Sequence, residues 1–189
     1  MEPRDFLNAL HVAERLKDTT RHCTTSKRRP ESVAEHSWRM ALMAYMLRDE
    51  FPEADMDKVV RMCLIHDLGE AFTGDIPTFN KTKADEETED TLLDQWVSSL
   101  PQPLSGDMRA LYAEMNERQT LEAKIYKALD SLEAVIQHNE SPLDTWIERE
   151  YRLNLTYGND KCAFSDWLTK LRIEIREDTM RKIEAESPM

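Results

Sequence analysis

The chain has 189 residues, 40% hydrophobic and 33% charged, which suffices for one domain with a substantial core and is too apolar for wholesale disorder. Its formal net charge of −12 excludes a protein that coats nucleic acid or an anionic membrane, because the long-range field repels polyanions. No run reaches the roughly eighteen apolar residues of a membrane span, and no basic stretch followed by an apolar one opens the chain, so a cytoplasmic protein without a membrane partner is expected.

Cys23, Cys63 and Cys162 form neither a close pair nor a C-x-x-C arrangement, so neither a disulfide framework nor a structural zinc knot is indicated. Cys63 lies in an apolar run and reads as core. Glycine is scarce and alternating β-branched runs are few, while apolar residues recur at three- and four-residue spacing. These features predict an all-α single domain over residues 1–189, with a core over about 5–140 and C-terminal helices over about 141–185.

In chain order, the first helix is expected from Asp5 to Lys17, with Phe6, Leu10, Ala13 and Leu16 on its inner face. A polar connector follows, from Asp18 to Glu31. Its basic cluster Arg21, Lys27, Arg28 and Arg29 is either a solvated loop or a patch for a small anion. Ser32-Val33-Ala34-Glu35 is a capping-box pattern that starts a helix, with His36 in its first turn and Met40, Met43, Ala44 and Leu47 on a stripe toward Arg48. The thin polar face predicts a central helix.

After Phe51-Pro52, Asp55 or Asp57 can cap the next helix, whose run from Val59 to Ile65 is apolar enough for burial on most sides. His66-Asp67 closes that run. Neighbouring side chains on a straight helix point about 100° apart, so both can reach one ion only near a helix end or kink. Gly69 and Gly74 bracket the next segment, and Asp75-Ile76-Pro77 reads as a loop.

Helices are then expected over residues 83–100, ended by Pro101-Gln102-Pro103, over 105–117, and over 120–139 with Leu121, Ile125, Leu129, Leu132 and Ile136 inward. Asp130 sits beside that last stripe. Ser141-Pro142 reads as a further helix start running through Trp146 and Ile147 toward Leu153, and Tyr157-Gly158-Asn159 as its break. A final helix over 163–185 should bury Phe164, Trp167, Leu168, Leu171 and Ile175 before a charged tail.

His36, His66, Asp67 and Asp130 therefore fall on three helices, each beside an apolar stripe. A lone histidine in such a position is more often a satisfied core residue. Two imidazoles with two carboxylates, however, suit one divalent first-row ion such as Co, Mn, Fe or Zn, with positions left for water and substrate.

The order Glu35-His36, His66-Asp67 and Ala128-Leu129-Asp130 resembles the HD-domain metal-dependent phosphohydrolases. More narrowly, Glu31-Ser32-Val33-Ala34-Glu35-His36 and the run His66-Asp67-Leu68-Gly69-Glu70-Ala71-Phe72-Thr73-Gly74-Asp75-Ile76-Pro77 resemble the bacterial 5′-deoxynucleotidase branch. This resemblance implies an all-α homodimer that removes the 5′-phosphate from deoxyribonucleoside monophosphates, with His36, His66, Asp67 and Asp130 as metal ligands. Glu70 matches the family's catalytic acid, placed to orient a water for attack on phosphorus. Asp75 matches a second acid that positions the water or protonates the leaving 5′-oxygen.

Arg21 matches a phosphate-binding arginine, whose guanidinium grips phosphate through two parallel hydrogen bonds. His22 stands where the branch often has tryptophan beside the sugar and base, so substrate selectivity is expected to differ. Lys81 reads as surface. A di-iron or two-metal relative would need histidines between Asp67 and Asp130, and the chain has none there, although Glu122 is a carboxylate that a second ion could use. A non-catalytic nucleotide sensor would be expected to lose Glu70 or Asp75, and both are present.

Overall fold

Burial of one long helix organises the protein. In the computed structural model, which describes residues 1–186, α7 (Leu121–Glu140) starts where Thr120 Oγ1 accepts from the Ala123 amide. Its apolar positions Ile125, Leu129 and Leu132 are fully buried, each contributing about 1.5–3 kcal/mol. Against it pack α2 (Val33–Met46) and α3 (Met56–Ile65), whose Met40, Ala44, Val59, Met62 and Cys63 complete the main core. The expected capping box opens α2: Ser32 Oγ accepts from the Glu35 amide, and the Glu35 carboxylate accepts from the Ser32 amide at 2.9 Å. Asp55, not Asp57, caps α3.

A second core forms around Leu16, Val33, Leu68, Leu93, Val97 and Met108, where α5 (Lys83–Ser99) and α6 (Leu104–Glu117) cover the chain that leaves α1 (Pro3–Glu14). On the far side α10 (Asp166–Glu186) lays Leu168 and Ile175 into the main core. The all-α expectation holds apart from one small hairpin, and the charged tail expected after the last helix lies mostly outside the described residues.

That hairpin occupies the expected polar connector. Strand β1 (Thr20–Thr24) pairs antiparallel with β2 (Pro30–Ser32), Thr20 opposite Ser32 and Thr24 opposite Pro30. Backbone bonds from Arg28 to Thr25 and from Thr25 to Arg29 close its turn. Strands this short leave too few residues for a legible alternation. The hairpin also divides the basic cluster: Arg28 pairs with Asp144 and Arg29 with Glu35 in solvent, while Arg21 points inward.

Other expectations are corrected. Residues 15–17 form a 3-10 turn whose Leu16 reaches the second core, while α1 itself buries no residue, Ala13 being only partly covered and Phe6 and Leu10 exposed. On α3, Leu64 faces solvent, and α2 exposes Trp38, Leu42, Tyr45 and Met46.

Pro142 is extended and starts no α-helix; Leu143–Thr145 is a 3-10 turn and α8 spans only Glu148–Leu153. The interruption follows from Trp146, whose indole Nε1 donates to His138 O at 3.0 Å and ties the chain back to the end of α7. Ile147 is consequently exposed. Gly158, at φ +82°, makes the expected break before a single turn, α9 (Asn159–Cys162), and Phe164 precedes α10 and is exposed.

Candidate metal centre

The polar pair sits where α3 stops. His66 is the C-cap of α3, and bonds from the Leu68 amide to Ile65 O and from the Glu70 amide to Asp67 O carry the chain through a tight turn into α4 (Glu70–Thr73). The helix end lets both side chains reach one point: His66 Nε2 lies 2.9 Å from Asp67 Oδ2. His36, in the first turn of α2, brings its Nε2 to 3.9 Å from Asp67 Oδ2 and 3.3 Å from Asp130 Oδ1, and Asp130 Oδ1 lies 3.9 Å from His66 Nε2. All four residues singled out from the sequence thus direct one donor atom each into a common space.

Proton placement makes this space fit a cation. His66 Nδ1 is 2.9 Å from Cys63 O, and a carbonyl only accepts, so Nδ1 donates there and Nε2 is the nitrogen that faces Asp67. That buried Nε2 makes no hydrogen bond among the described residues, despite its closeness to the carboxylate. A buried polar nitrogen without a hydrogen bond is costly unless something else, such as an ion, takes its place as partner. His36 Nδ1 is held by the carboxylate of Glu133, which turns its Nε2 toward Asp130. Outer partners of this kind fix ring orientation and raise the basicity of the inner nitrogen.

The carboxylates remain anionic. Burial would raise Asp67, but His66 and His36 outweigh it and hold the group well below the usual range. Burial opposes ionisation of Asp130 as well, and Lys127, at 2.6 Å, with His36 keeps it well below. In the same charge environment His36 is moved up to about 9, burial and Arg21 pulling it down and Asp130 and Glu133 prevailing.

Glu70 behaves oppositely. Only 5% exposed and starting α4, it is pushed up to about 10 by burial first and then by the charges of Asp67 and Asp75. Its buried Oε2 has no hydrogen-bond partner among the described residues. Burial and the neighbouring carboxylates favour its protonated form.

Asp67 and Asp130 open onto a cleft of about 490 Å³ that Arg21, His22, Glu70 and Asp75 also line. Arg21, on β1, is fixed by Glu31 at 3.1 Å and stands 3.8 Å from Asp67. Asp75 reaches the wall because Gly74, at φ +78°, turns the chain through a conformation that side chains resist. At Gly69 a Cβ would lie 2.7 Å from Glu89 Cγ, so glycine permits the close approach of α5. Exposed His22 places Nε2 3.0 Å from Glu150 Oε1 and its ring edge-on to Phe79. Lys81 also lines the cleft, although it pairs with Glu89 at 2.7 Å.

Sequence reasoning missed Glu31, Lys127, Glu133, His138 and Glu150. Glu133 carried a usable signal, one turn after Asp130 on the same helix and in an apolar stripe. Glu150 carried none, since its helix comes to the cleft only through the Trp146 anchor. Glu122 lies elsewhere, beside Lys58 and accepting from the Asp55 amide.

A profile of the HD domain matches residues 13–172. The chain belongs to the HD-domain family. The Homo sapiens protein named 5′-deoxynucleotidase HDDC2 is 33% identical over 141 residues, covering 72% of this chain and 68% of the human protein. A "Conserved hypothetical protein" from Pyrococcus furiosus superposes with a TM-score of 0.72 at 29% identity, over 90% of this chain and 99% of the other. A "Predicted metal-dependent phosphohydrolase" from Magnetospirillum magnetotacticum MS-1 gives a TM-score of 0.79 at 24% identity, over 95% of this chain and 93% of the other, a likeness of fold.

Proposed function

We propose that the protein is a metal-dependent phosphohydrolase that converts nucleoside 5′-monophosphates to nucleoside and phosphate, most specifically a 5′-deoxynucleotidase. One observation carries this reading: donor atoms of His36, His66, Asp67 and Asp130 converge beside the buried carboxyl of Glu70, with Asp67, Glu70 and Asp130 lining one cleft. Kinship to a protein named 5′-deoxynucleotidase supports the substrate class.

His36, His66, Asp67 and Asp130 would hold one divalent ion, of Co, Mn, Fe or Zn by donor type. Bound there, it supplies positive charge to offset the charge that develops on the phosphoryl oxygens. Arg21 binds the phosphate through two N–H groups, already oriented by Glu31 and Asp67. Attack by water forms the new P–O bond as the bond to the 5′-oxygen breaks. Asp75 takes a proton from the water, and Glu70, kept protonated by its burial, gives one to the leaving oxygen. His22 and Phe79 form the wall available to sugar and base.

A single domain over residues 1–189 and a homodimer belong to the same reading. The exposed apolar face of α2, with Trp38 at 62% exposure beside Tyr45 and Met46, offers a surface for a second copy. No helix among the described residues is long and apolar enough to cross a membrane, and a cytoplasmic location is part of the proposal.

The test is a panel of ribo- and deoxyribonucleoside mono-, di- and triphosphates given to protein stripped and reloaded with cobalt or manganese. Phosphate release from several deoxyribonucleoside monophosphates, abolished in Glu70→Ala, is expected. No release across the panel with metal bound, or undiminished release by Glu70→Ala, overturns the reading.

A further inference from the structure

A second group at the other end of the cleft repeats the features that make the first one fit a cation. His138, near the end of α7, sets Nδ1 2.7 Å from Ala134 O, so that nitrogen donates to the carbonyl and Nε2 is left facing Glu150. Nε2 stands 3.1 Å from Glu150 Oε1, and His22 Nε2 approaches the same oxygen at 3.0 Å. All three atoms lie within 4.8 Å of one another. His138 is only 6% exposed and Glu150 3%, while His22 opens on the cleft.

A proton shared between His138 and Glu150 is the simplest alternative, since a doubly protonated imidazole could donate to the carboxylate. The geometry disfavours it. His138 Nε2 makes no hydrogen bond among the described residues although Glu150 Oε1 stands 3.1 Å away. The same mismatch between short distance and poor alignment marks His66 Nε2 beside Asp67. Three donor atoms this close, with no hydrogen bond at His138 Nε2, suit an ion placed among them. Glu150 Oε2 is separately fixed by the Ile147 amide at 2.8 Å, which leaves Oε1 for that space.

We propose that His22, His138 and Glu150 form a second divalent transition-metal site, separate from the four-donor centre, with an open coordination position facing the cleft. Two imidazoles, one carboxylate and one open position are the donor set of tetrahedral zinc sites that retain an exchangeable ligand. The Ala134 carbonyl and the Ile147 amide serve as the outer partners that orient His138 and Glu150. The ion would tie β1, the end of α7 and α8 together across the cleft wall.

The experiment is a titration of metal-stripped full-length protein with Zn²⁺ or Co²⁺ alone, followed by metal analysis after dialysis and by cobalt visible absorption. Wild type should retain two equivalents per chain and His22→Ala one. Because loss of an orienting partner alone weakens binding about 10–100-fold, loss of a ligand should weaken the second equivalent by at least about 100-fold. Asp67→Asn should retain the equivalent that His22→Ala loses, and the double variant neither. His22 is exposed on the hairpin, and Glu150→Gln, which keeps an acceptor for Ile147, gives an independent loss of the second equivalent. One equivalent in wild type, or two in His22→Ala, overturns the proposal. These readouts do not depend on any nucleotide being hydrolysed.

Discussion

The floor of the cleft and its wall are built differently. The floor takes His36, His66, Asp67 and Asp130 from α2, the end of α3 and α7, all anchored in the main core. The wall takes Arg21 and His22 from a two-stranded hairpin and Asp75 from a loop turned by Gly74. Helix-borne groups in a close-packed core have little room to adjust, whereas groups on short strands and loops depend on a few polar ties. Substitutions in the floor should therefore act on metal retention at the four-donor centre, and substitutions of Arg21 and Asp75 in the wall on substrate affinity.

The largest effect is expected from Asp67→Asn. It removes a carboxylate donor, so metal content should fall by one equivalent per chain and phosphate release to background, both measurable on one dialysed sample. Glu70→Gln should keep its metal and lose about 10²–10⁴-fold in kcat, the usual worth of a positioned proton donor. Metal lost together with activity would make Glu70 part of the floor.

Glu70 also predicts a pH effect on folding. Its folded value, about 10, lies above the ordinary carboxyl value of 4.5, so folding favours the protonated form. The stability this provides is complete below about pH 4.5 and is lost as the pH rises toward 10. In metal-stripped protein Glu70→Gln should consequently raise Tm relative to wild type at pH 8, with the gap closing at pH 4.5. A gap of equal size at both values would contradict the assigned charge state.

A smaller effect is expected from Glu133→Gln. Loss of the charge behind His36 Nδ1 should weaken metal binding about 10–100-fold while leaving the four donors in place, as read by competition with a chelator. For the wall, Arg21→Lys loses the paired N–H groups and should raise KM about tenfold with kcat changed less. Gly74→Ala should cost about 1–2 kcal/mol by denaturant unfolding, the strain of a side chain at positive φ. A wall variant that released the ion of the four-donor centre would erase the distinction between the two regions.

The same contrast explains what the sequence could reveal. Apolar spacing located α2, α3 and α7, because a helix repeats its pattern over several turns, and the polar residues interrupting those stripes marked the floor. The Ser32 capping box fixed where His36 would stand. The hairpin was invisible, being too short for alternation to register, so Arg21 was assigned by resemblance while its partner Glu31 was missed. His22 drew attention only as a departure from tryptophan. Its meeting with His138 and Glu150 depends on how Trp146 folds α8 back over α7, a tertiary contact with no local pattern.

The central claim is that four donors from three helices hold one divalent ion beside Glu70. Anomalous diffraction from crystals loaded with manganese or cobalt tests it most directly. A peak within coordination distance of His36 Nε2, His66 Nε2, Asp67 Oδ2 and Asp130 Oδ1 is the predicted result. Protein loaded under conditions that saturate binding, yet showing no peak among those four atoms, would contradict it.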